Sequence, residues 1–188
     1  MSYKNKILIF ESNKIYYKDA NDSIDMEVMM DWEDTVMKKS ADYVCEGGGD
    51  ILEIGFGMGI AADYIQTNSI TSHTIVENHP QIIEKAKAWA NGKSNVTVVE
   101  DDWYSVKDSL STYDGIFYDT FGDDNMDKFK DSLTNLTKSG SKVTWWNSVG
   151  SENNYYSIDG VTYEAITVNP PSNCYFNNTT YYLPKKEF

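Results

Sequence analysis

The sequence has little of the residue types that build metal centres or disulfide frameworks. It has 188 residues, with two cysteines and two histidines among them. Cys45 and Cys174 lie far apart and form no C-x-x-C pair, so neither a disulfide framework nor a zinc site is expected. His73 and His79 by themselves do not supply a ligand set either. We therefore predict that the protein uses no metal.

Long apolar runs and excess basic charge are also missing. No run approaches the roughly 18 apolar residues that span a bilayer, and the N-terminus lacks the pattern of a signal peptide. These features predict a cytoplasmic protein with no membrane partner. Acidic residues outnumber basic ones 29 to 16, for a net charge of −13. Such a surface repels nucleic-acid phosphates. It is compatible with a small cationic substrate, although most acidic surfaces serve only solubility.

A strand that runs into a glycine-rich turn is the strongest positive signal. Residues 50–59 (DILEIGFGMG) begin apolar and end in a turn with three glycines, Gly55, Gly57 and Gly59. Glycine removes the Cβ atoms that would keep a ligand away from the backbone. A second apolar run ends at Glu77, about 20 residues further on, where an acid can bind a ribose diol. The pattern predicts a nucleoside-binding βαβ unit.

Two nucleosides compete for this unit. The dinucleotide fingerprint G-x-G-x-x-G requires a sixth-position glycine, but Ile60 stands there. Glu53, two residues before the first glycine, is unusual for NAD sites and common in enzymes that use S-adenosylmethionine. We therefore predict S-adenosylmethionine as the cofactor, with NAD and a ligand-free tight turn as alternatives.

Strands and helices alternate through most of the chain. Residues 6–10 and 14–17 predict a small hairpin, and the apolar spacing of residues 25–45 predicts a helix. Further strands are predicted at 50–54, 73–77, 95–100, 113–119, 141–147, 160–168 and 174–183. Further helices are predicted at 59–66, 80–91, 103–110 and 125–138. We expect an α/β fold with a doubly wound, Rossmann-like seven-stranded sheet, whose last two strands form an antiparallel edge hairpin.

Length and composition predict one domain over residues 1–188. Hydrophobic residues make up 40% and charged residues 24%, which is ordinary for a globular chain able to bury one core. We divide this domain into an N-terminal hairpin or lid (1–24), a donor-binding core (25–150) and C-terminal edge strands (151–188).

Four segments occur in an order that resembles a known family. They are residues 27–37 (EVMMDWEDTVM), 52–60 (LEIGFGMGI), 115–121 (GIFYDTF) and 169–175 (NPPSNCY). Together they resemble guanidinoacetate N-methyltransferase and, equally, the catalytic domain of the fungal enzyme that methylates the delta nitrogen of protein arginine. The resemblance covers roughly residues 25–183. Its V-M-x-x-W-E and Y-D-T elements are far more specific than the glycine loop.

The resemblance implies a class I methyltransferase that converts S-adenosylmethionine to S-adenosylhomocysteine. The donor-binding residues that it implies, to which we add Glu53, are Met29, Met37, Gly55, Phe56, Gly57, Met58, Gly59, Ile60, Glu77, Asn78 and His79, with Asp101 and Asp102 at the adenine. It places the guanidino group between Glu33 and Asp119, with Val149 and Gly150 at the substrate end. The implied partner is a small guanidino compound or an arginine side chain.

The chemistry explains the two carboxylates independently. Methyl transfer from a sulfonium is an in-line displacement, so positioning dominates catalysis. A guanidinium is a poor nucleophile because it is cationic, with a pKa above about 12. Two carboxylates can pair with it in bidentate fashion, and one can accept the proton as the N–C bond forms. We predict that Glu33 and Asp119 are these catalytic residues.

Other interpretations stay open at this point. The enzyme could methylate another small amine, which would need Asp119 but not Glu33, or the chain could be an inactive donor-binding module. Glu33 could lie on a solvated helix face, and Asp119 could cap a turn. Met29 and Met37 are spaced for core packing as much as for donor binding.

Overall fold

The structure, a computed structural model, describes residues 3–21 and 23–188. The strands are β1 (Ile9–Phe10), β2 (Lys14–Lys18), β3 (Ile24–Met30), β4 (Asp50–Ile54), β5 (Ser72–Glu77), β6 (Val96–Glu100), β7 (Tyr113–Tyr118), β8 (Thr137–Trp145), β9 (Thr162–Thr167) and β10 (Thr180–Glu187). The helices are α1 (Asp34–Val44), α2 (Ile60–Thr67), α3 (Pro80–Ala90), α4 (Trp103–Val106) and α5 (Phe129–Leu136). Single 3-10 turns occur at Tyr3–Asn5, Asp31–Glu33, Lys107–Ser109 and Met126–Lys128.

Seven strands form the central sheet, in the order β6-β5-β4-β7-β8-β10-β9. The first five are parallel, and β10 runs antiparallel to both β8 and β9. The doubly wound sheet with an antiparallel edge hairpin is therefore confirmed. After β4 the chain adds β5 and β6 on one side and then returns to add β7 on the other. Ligands of open α/β sheets bind at such a reversal, outside the carboxyl ends of the strands.

The central strands are apolar because both faces of the sheet are covered. Side chains of a strand alternate between the two faces. Along β7, Phe117 packs in the cluster that contains α1 residues, whereas Ile116 and Tyr118 pack in the cluster that contains α5 residues. Continuous apolar runs follow from this double burial, as expected for a parallel sheet. Among the described residues, no helix combines the length and apolar character needed to cross a membrane.

The predicted helix over residues 25–45 is wrong in its first part. Residues 24–30 form β3, which pairs antiparallel with β2 and completes a three-stranded N-terminal sheet. The helix α1 begins only at Asp34. The methionine spacing suited either structure. Residues 24–30 form a strand because β2 supplies backbone hydrogen-bond partners. A local sequence pattern does not reveal such partners.

Two other boundaries also shift. The predicted helix over residues 125–138 is shorter, because β8 already begins at Thr137. The last strand begins at Thr180 rather than near residue 174. Residues 174–179 instead belong to the loop between β9 and β10. This loop reaches the cavity described below.

Gly115 lets α1 pack directly against β7. A Cβ at Gly115 would lie 2.0 Å from the carbonyl oxygen of Val44, the last residue of α1. Gly115→Ala should therefore lower the free energy of unfolding by roughly 1–3 kcal/mol, the usual range for overpacking. Gly47→Ala is the control, because a Cβ there meets nothing within 4 Å. Chemical denaturation of both variants measures the difference; equal stabilities would contradict the proposed packing.

Candidate active site

A cavity of about 300 Å³ lies at the carboxyl ends of β4, β5 and β7. Its wall is completed by β3, by the 3-10 turn that follows β3, and by the loop between β9 and β10, which contributes Tyr175. The cavity is thus at the chain reversal of the sheet, where a doubly wound fold places its ligand.

The glycine turn after β4 is tight because two strand ends meet there. Gly55 has φ +93°, and a Cβ on it would lie 1.9 Å from the carbonyl oxygen of Asp119. Gly57, with φ +54°, faces the sulfur of Met29, which also accepts a hydrogen bond from the Met58 N–H at 3.1 Å. These backbone conformations favour glycine. The turn therefore presents bare backbone to the cavity and touches the backbone of Asp119.

Glu77 ends β5 and binds the glycine turn. Its Oε2 accepts the Phe56 N–H at 3.0 Å, and its Oε1 accepts the N–H groups of Asn78 and His79 at 2.8 and 2.7 Å. Burial raises the pKa of the carboxyl, while the three backbone donors act to lower it. The carboxylate is thereby held in one orientation at the cavity wall, as a ribose-binding acid requires.

Glu53 is also buried at the cavity wall and pairs with His73. The Nε2 atom of His73 lies 2.8 Å from Oε2 of Glu53, and both side chains are almost fully buried. Burial raises the pKa of Glu53, and the hydrogen bond from His73 opposes that rise. The histidine that the sequence places in a strand therefore serves as the buried partner of a cavity acid.

Glu33 and Asp119 line the same cavity, close enough for the charge of Asp119 to act on Glu33. Glu33 lies in the 3-10 turn after β3 and is 3% exposed. Its Oε1 accepts the Met30 N–H at 2.7 Å and the hydroxyl hydrogen of Tyr175. Asp119 follows β7 and faces the cavity. Within residues 3–21 and 23–188, its carboxylate has no hydrogen-bond donor, so it is available to a ligand.

The surroundings of both carboxyl groups raise their pKa values. Burial raises the pKa of Glu33, and the nearby charge of Asp119 raises it further. Burial likewise raises the pKa of Asp119, with a contribution from the charge of Glu53. The Tyr175 hydroxyl acts in the other direction, because its hydrogen bond favours ionised Glu33. The pair should hold a proton at pH values where ordinary carboxyls have lost theirs, and a cation placed between them should release it.

The structure brings most of the predicted site residues together. Those that line the cavity are Met29, Glu33, Met37, Glu53, Gly55, Phe56, Gly57, Glu77, Asn78, Asp101 and Asp119. Those that lie outside its lining are Met58, Gly59, Ile60, His79, Asp102, Val149 and Gly150. The ligand roles assigned to both groups stay predictions.

The residues outside the lining have structural contacts instead. Gly59 and Ile60 begin α2. The His79 ring accepts the Gln81 N–H at the start of α3, and Asp102 caps α4 through the N–H groups of Tyr104 and Ser105. If these residues contact the methyl donor, they do so through their backbone or after a shift of the side chain.

Sequence reasoning missed several residues of the cavity wall. Tyr175 belongs to the N-P-P-S-N-C-Y segment, which by itself indicates only a rigid turn. Trp146 and Ser148, at the end of β8, also line the cavity. Asp123, an acid that could have been helix-terminal charge, accepts hydrogen bonds from the side chains of Trp103 and Tyr118 and organises the loop after β7. The only sequence signal for Tyr175 was its place at the end of the fourth segment that resembles the family.

The strand order of the central sheet and the glycine turn after β4 together identify the class I methyltransferase fold. The N-methyltransferase NodS from Bradyrhizobium japonicum WM9 has a similar structure, with a TM-score of 0.62, 13% identity, and coverage of 82% of this chain and 94% of that one. The sequence profile of the guanidinoacetate N-methyltransferase family matches residues 10–151. The chain belongs to this family.

Curated relatives carry a second name. A protein arginine N-methyltransferase 2 from Yarrowia lipolytica is 31% identical over 88% of this chain, and one from Kluyveromyces lactis is 31% identical over 86% of it. The matched regions are 40% and 47% of the length of those relatives. The chain thus spans less than half of each.

Replacing Glu77 should weaken donor binding and also loosen the glycine turn. If Glu77 binds the ribose as predicted, Glu77→Ala removes charge-assisted hydrogen bonds of about 1.5–3 kcal/mol, which is roughly one to two decades in Kd. Because three backbone N–H groups lose their acceptor, the thermal stability of the donor-free protein should fall too. Calorimetry with S-adenosylhomocysteine and a thermal melt measure the two effects.

Glu100→Ala is the matched control. Glu100 pairs with Glu77 in the register of β5 and β6, but its side chain is exposed and binds Lys87. This variant should keep donor affinity. Unchanged affinity in Glu77→Ala would move the ribose contact to another residue.

Proposed function

We propose that this protein is an S-adenosylmethionine-dependent N-methyltransferase whose acceptor is a guanidino group. One observation supports this above all others: Glu33 and Asp119 face the cavity that also contains the glycine turn and Glu77. In the described part of the chain, a predicted donor site and a pair of carboxylates without a salt-bridge partner thus share one cavity. The relatives named for guanidinoacetate and arginine methylation point the same way. The cytoplasmic location inferred from the sequence is part of the proposal.

The cavity residues fit the donor. The glycine turn presents backbone without Cβ atoms, and the carboxylate of Glu77 is oriented by three N–H groups. Asp101 lines the cavity beyond Glu77, where the adenine is predicted. When bound, the donor supplies an electrophilic methyl group. The protein contributes orientation and exclusion of water.

Glu33 and Asp119 then act on the acceptor. A guanidinium placed between them displaces the proton that the empty pair holds, this proton leaves to solvent, and both carboxylates become ionised partners of the cation. Bidentate pairing concentrates positive charge on the nitrogens that do not react. The carboxylate of Asp119 accepts no hydrogen bond from the described residues. It takes the proton as the new N–C bond forms. Glu33, already oriented by Met30 and Tyr175, fixes the acceptor.

Neutralising Asp119 and neutralising Glu33 should therefore change different kinetic parameters. Asp119→Asn removes the proton acceptor at constant size and should lower kcat by roughly 10²–10⁴-fold, with donor affinity changed far less. Glu33→Gln keeps an oxygen for Met30 and Tyr175 but loses charge, so it should mainly raise KM for the acceptor. Asp108→Asn, a change at an exposed side chain, is the control.

A mass-shift screen of guanidines, amines and alcohols with labelled donor accompanies these assays. Methylation of plain amines or alcohols but of no guanidine would refute the proposed acceptor. Asp119 would then be only an amine-binding acid. Equal effects of the two variants on kcat and KM would refute the division of roles.

The raised pKa values predict an acid limb in the rate profile. Acceptor binding requires ionised carboxylates, so kcat/KM should rise with pH, with an apparent pKa well above the value of about 4 of ordinary carboxyls. Tyr175→Phe removes the hydrogen bond that favours ionised Glu33, so the limb should move to higher pH. High pH should partly restore its activity.

Tyr113→Phe serves as the control for this profile. Tyr113 is buried in the cluster against α5 and is not part of the cavity wall. If the loss of a tyrosine hydroxyl only disturbed packing, either variant would have lower activity at all pH values, and the acid limb would not move. An unshifted acid limb in Tyr175→Phe would show that its hydroxyl does not control Glu33.

A further inference from the structure

The charges of the cavity wall bear on what the acceptor carries besides its guanidine. Seven of the lining residues are acidic: Glu27, Glu33, Glu53, Glu77, Asp101, Asp119 and Asp123. Within residues 3–21 and 23–188, the lining includes no lysine, arginine or histidine. The sequence as a whole contains no arginine. An acceptor with its own carboxylate would therefore add another anion to an acidic wall.

Not all seven acids are available to an acceptor. Glu77 is engaged by three backbone N–H groups and Glu53 by His73. Asp123 accepts hydrogen bonds from the Trp103 side chain and the Asn125 N–H, and Asp101 accepts the N–H of its neighbour. Glu33 accepts its two hydrogen bonds, from Met30 and Tyr175, on Oε1 alone. The other two acids are Asp119 and Glu27. In the described part of the chain, the carboxylate of Glu27 has no hydrogen bond or ion pair.

Glu27 lies on β3, which forms part of the cavity wall. Its side chain is half-buried, and its neighbour Met26 is 41% exposed. Glu33 follows only a few residues later in the chain. Glu27 is thus an unengaged, half-buried charge on the wall of the cavity that also contains the predicted guanidine-binding pair. The chemistry proposed for Glu33 and Asp119 does not use it.

The segment predicted for the far end of the substrate offers a carboxylate little. The Val149 N–H donates to Oδ1 of Asn147 at 3.3 Å. Asn147 also donates to the Ser151 carbonyl at 2.9 Å, which closes the segment into a compact turn. A Cβ on Gly150 would lie 2.1 Å from Cγ of Asn178, so that residue is covered. Ser148, which lines the cavity, presents a neutral hydroxyl.

We propose that the acceptor is an alkylguanidine whose tail carries no carboxylate, and that Glu27 favours a tail with a second positive charge. This proposal rests on the proposed function. Three compounds of similar length test this: 4-guanidinobutyrate, butylguanidine and 4-aminobutylguanidine. The acid should have a kcat/KM at least tenfold below that of butylguanidine. The amine should exceed butylguanidine at low salt, and its advantage should shrink as sodium chloride screens the attraction.

A charge reversal separates Glu27 from the general charge of the protein. Glu27→Lys should lower the ratio of the amine to the acid in kcat/KM at least tenfold. Glu84→Lys makes the same change of charge at an exposed site on α3, outside the cavity, and should leave that ratio unchanged. Equal effects of the two variants would overturn the role of Glu27.

The outcomes separate this inference from the proposed function. If guanidinobutyrate or guanidinoacetate is methylated as well as butylguanidine or better, the inference is wrong while guanidino methylation stands. If no guanidine is methylated but donor binds, both are wrong. Measuring donor affinity in each variant by calorimetry excludes an indirect effect through the donor site.

Discussion

The burial of Glu33 and Asp119 in one cavity, with no protein cation beside them in the described part of the chain, is the constraint on which the site depends. Two like charges in a poorly solvated space oppose each other and oppose ionisation, which raises both pKa values. Such a site costs stability in the empty protein. A cation bound between the two carboxylates would relieve this repulsion. The selectivity that we propose for a cationic acceptor rests on the same arrangement.

The surrounding fold keeps these two carboxylates in place. Asp119 is located by the contact of its backbone with Gly55, where the ends of β4 and β7 meet. Glu33 is located by β3, whose last N–H it accepts, and by Tyr175 from the loop between β9 and β10. Trp32 stacks on Phe176 at 5.4 Å, which attaches this loop to the turn of Glu33. Elements from both ends of the chain therefore meet at one pair of side chains.

The acidic wall divides its work between structure and binding. Glu77, Glu53 and Asp123 are engaged by backbone or side-chain donors and serve to shape the cavity. The side chains of Asp119 and Glu27 accept no hydrogen bond in the described part of the chain, and Glu33 accepts both of its hydrogen bonds on Oε1. A count of acidic residues would not separate these groups, because the distinction lies in which donors reach each carboxylate. The strongly negative net charge of the chain is thus partly concentrated where a cation is proposed to bind.

The sequence alone determined the parts of this protein that depend on neighbours in the chain. The apolar strand, glycine turn and helix at residues 50–67 are local, and so is the spacing to Glu77. Alternating strands and helices then limit the fold to a doubly wound sheet. Family motifs pointed to Glu33 and Asp119, and the structure brings both to one cavity.

Tertiary structure decided the rest. Residues 24–30 became a strand because β2 offered an edge, and Tyr175 reached Glu33 across 142 positions. The close approach of Gly55 and Asp119, the burial that raises the carboxyl pKa values, and the freedom of Glu27 likewise arise between distant segments. Local propensity carries no information on such contacts, since only the folded topology determines which groups share a cavity.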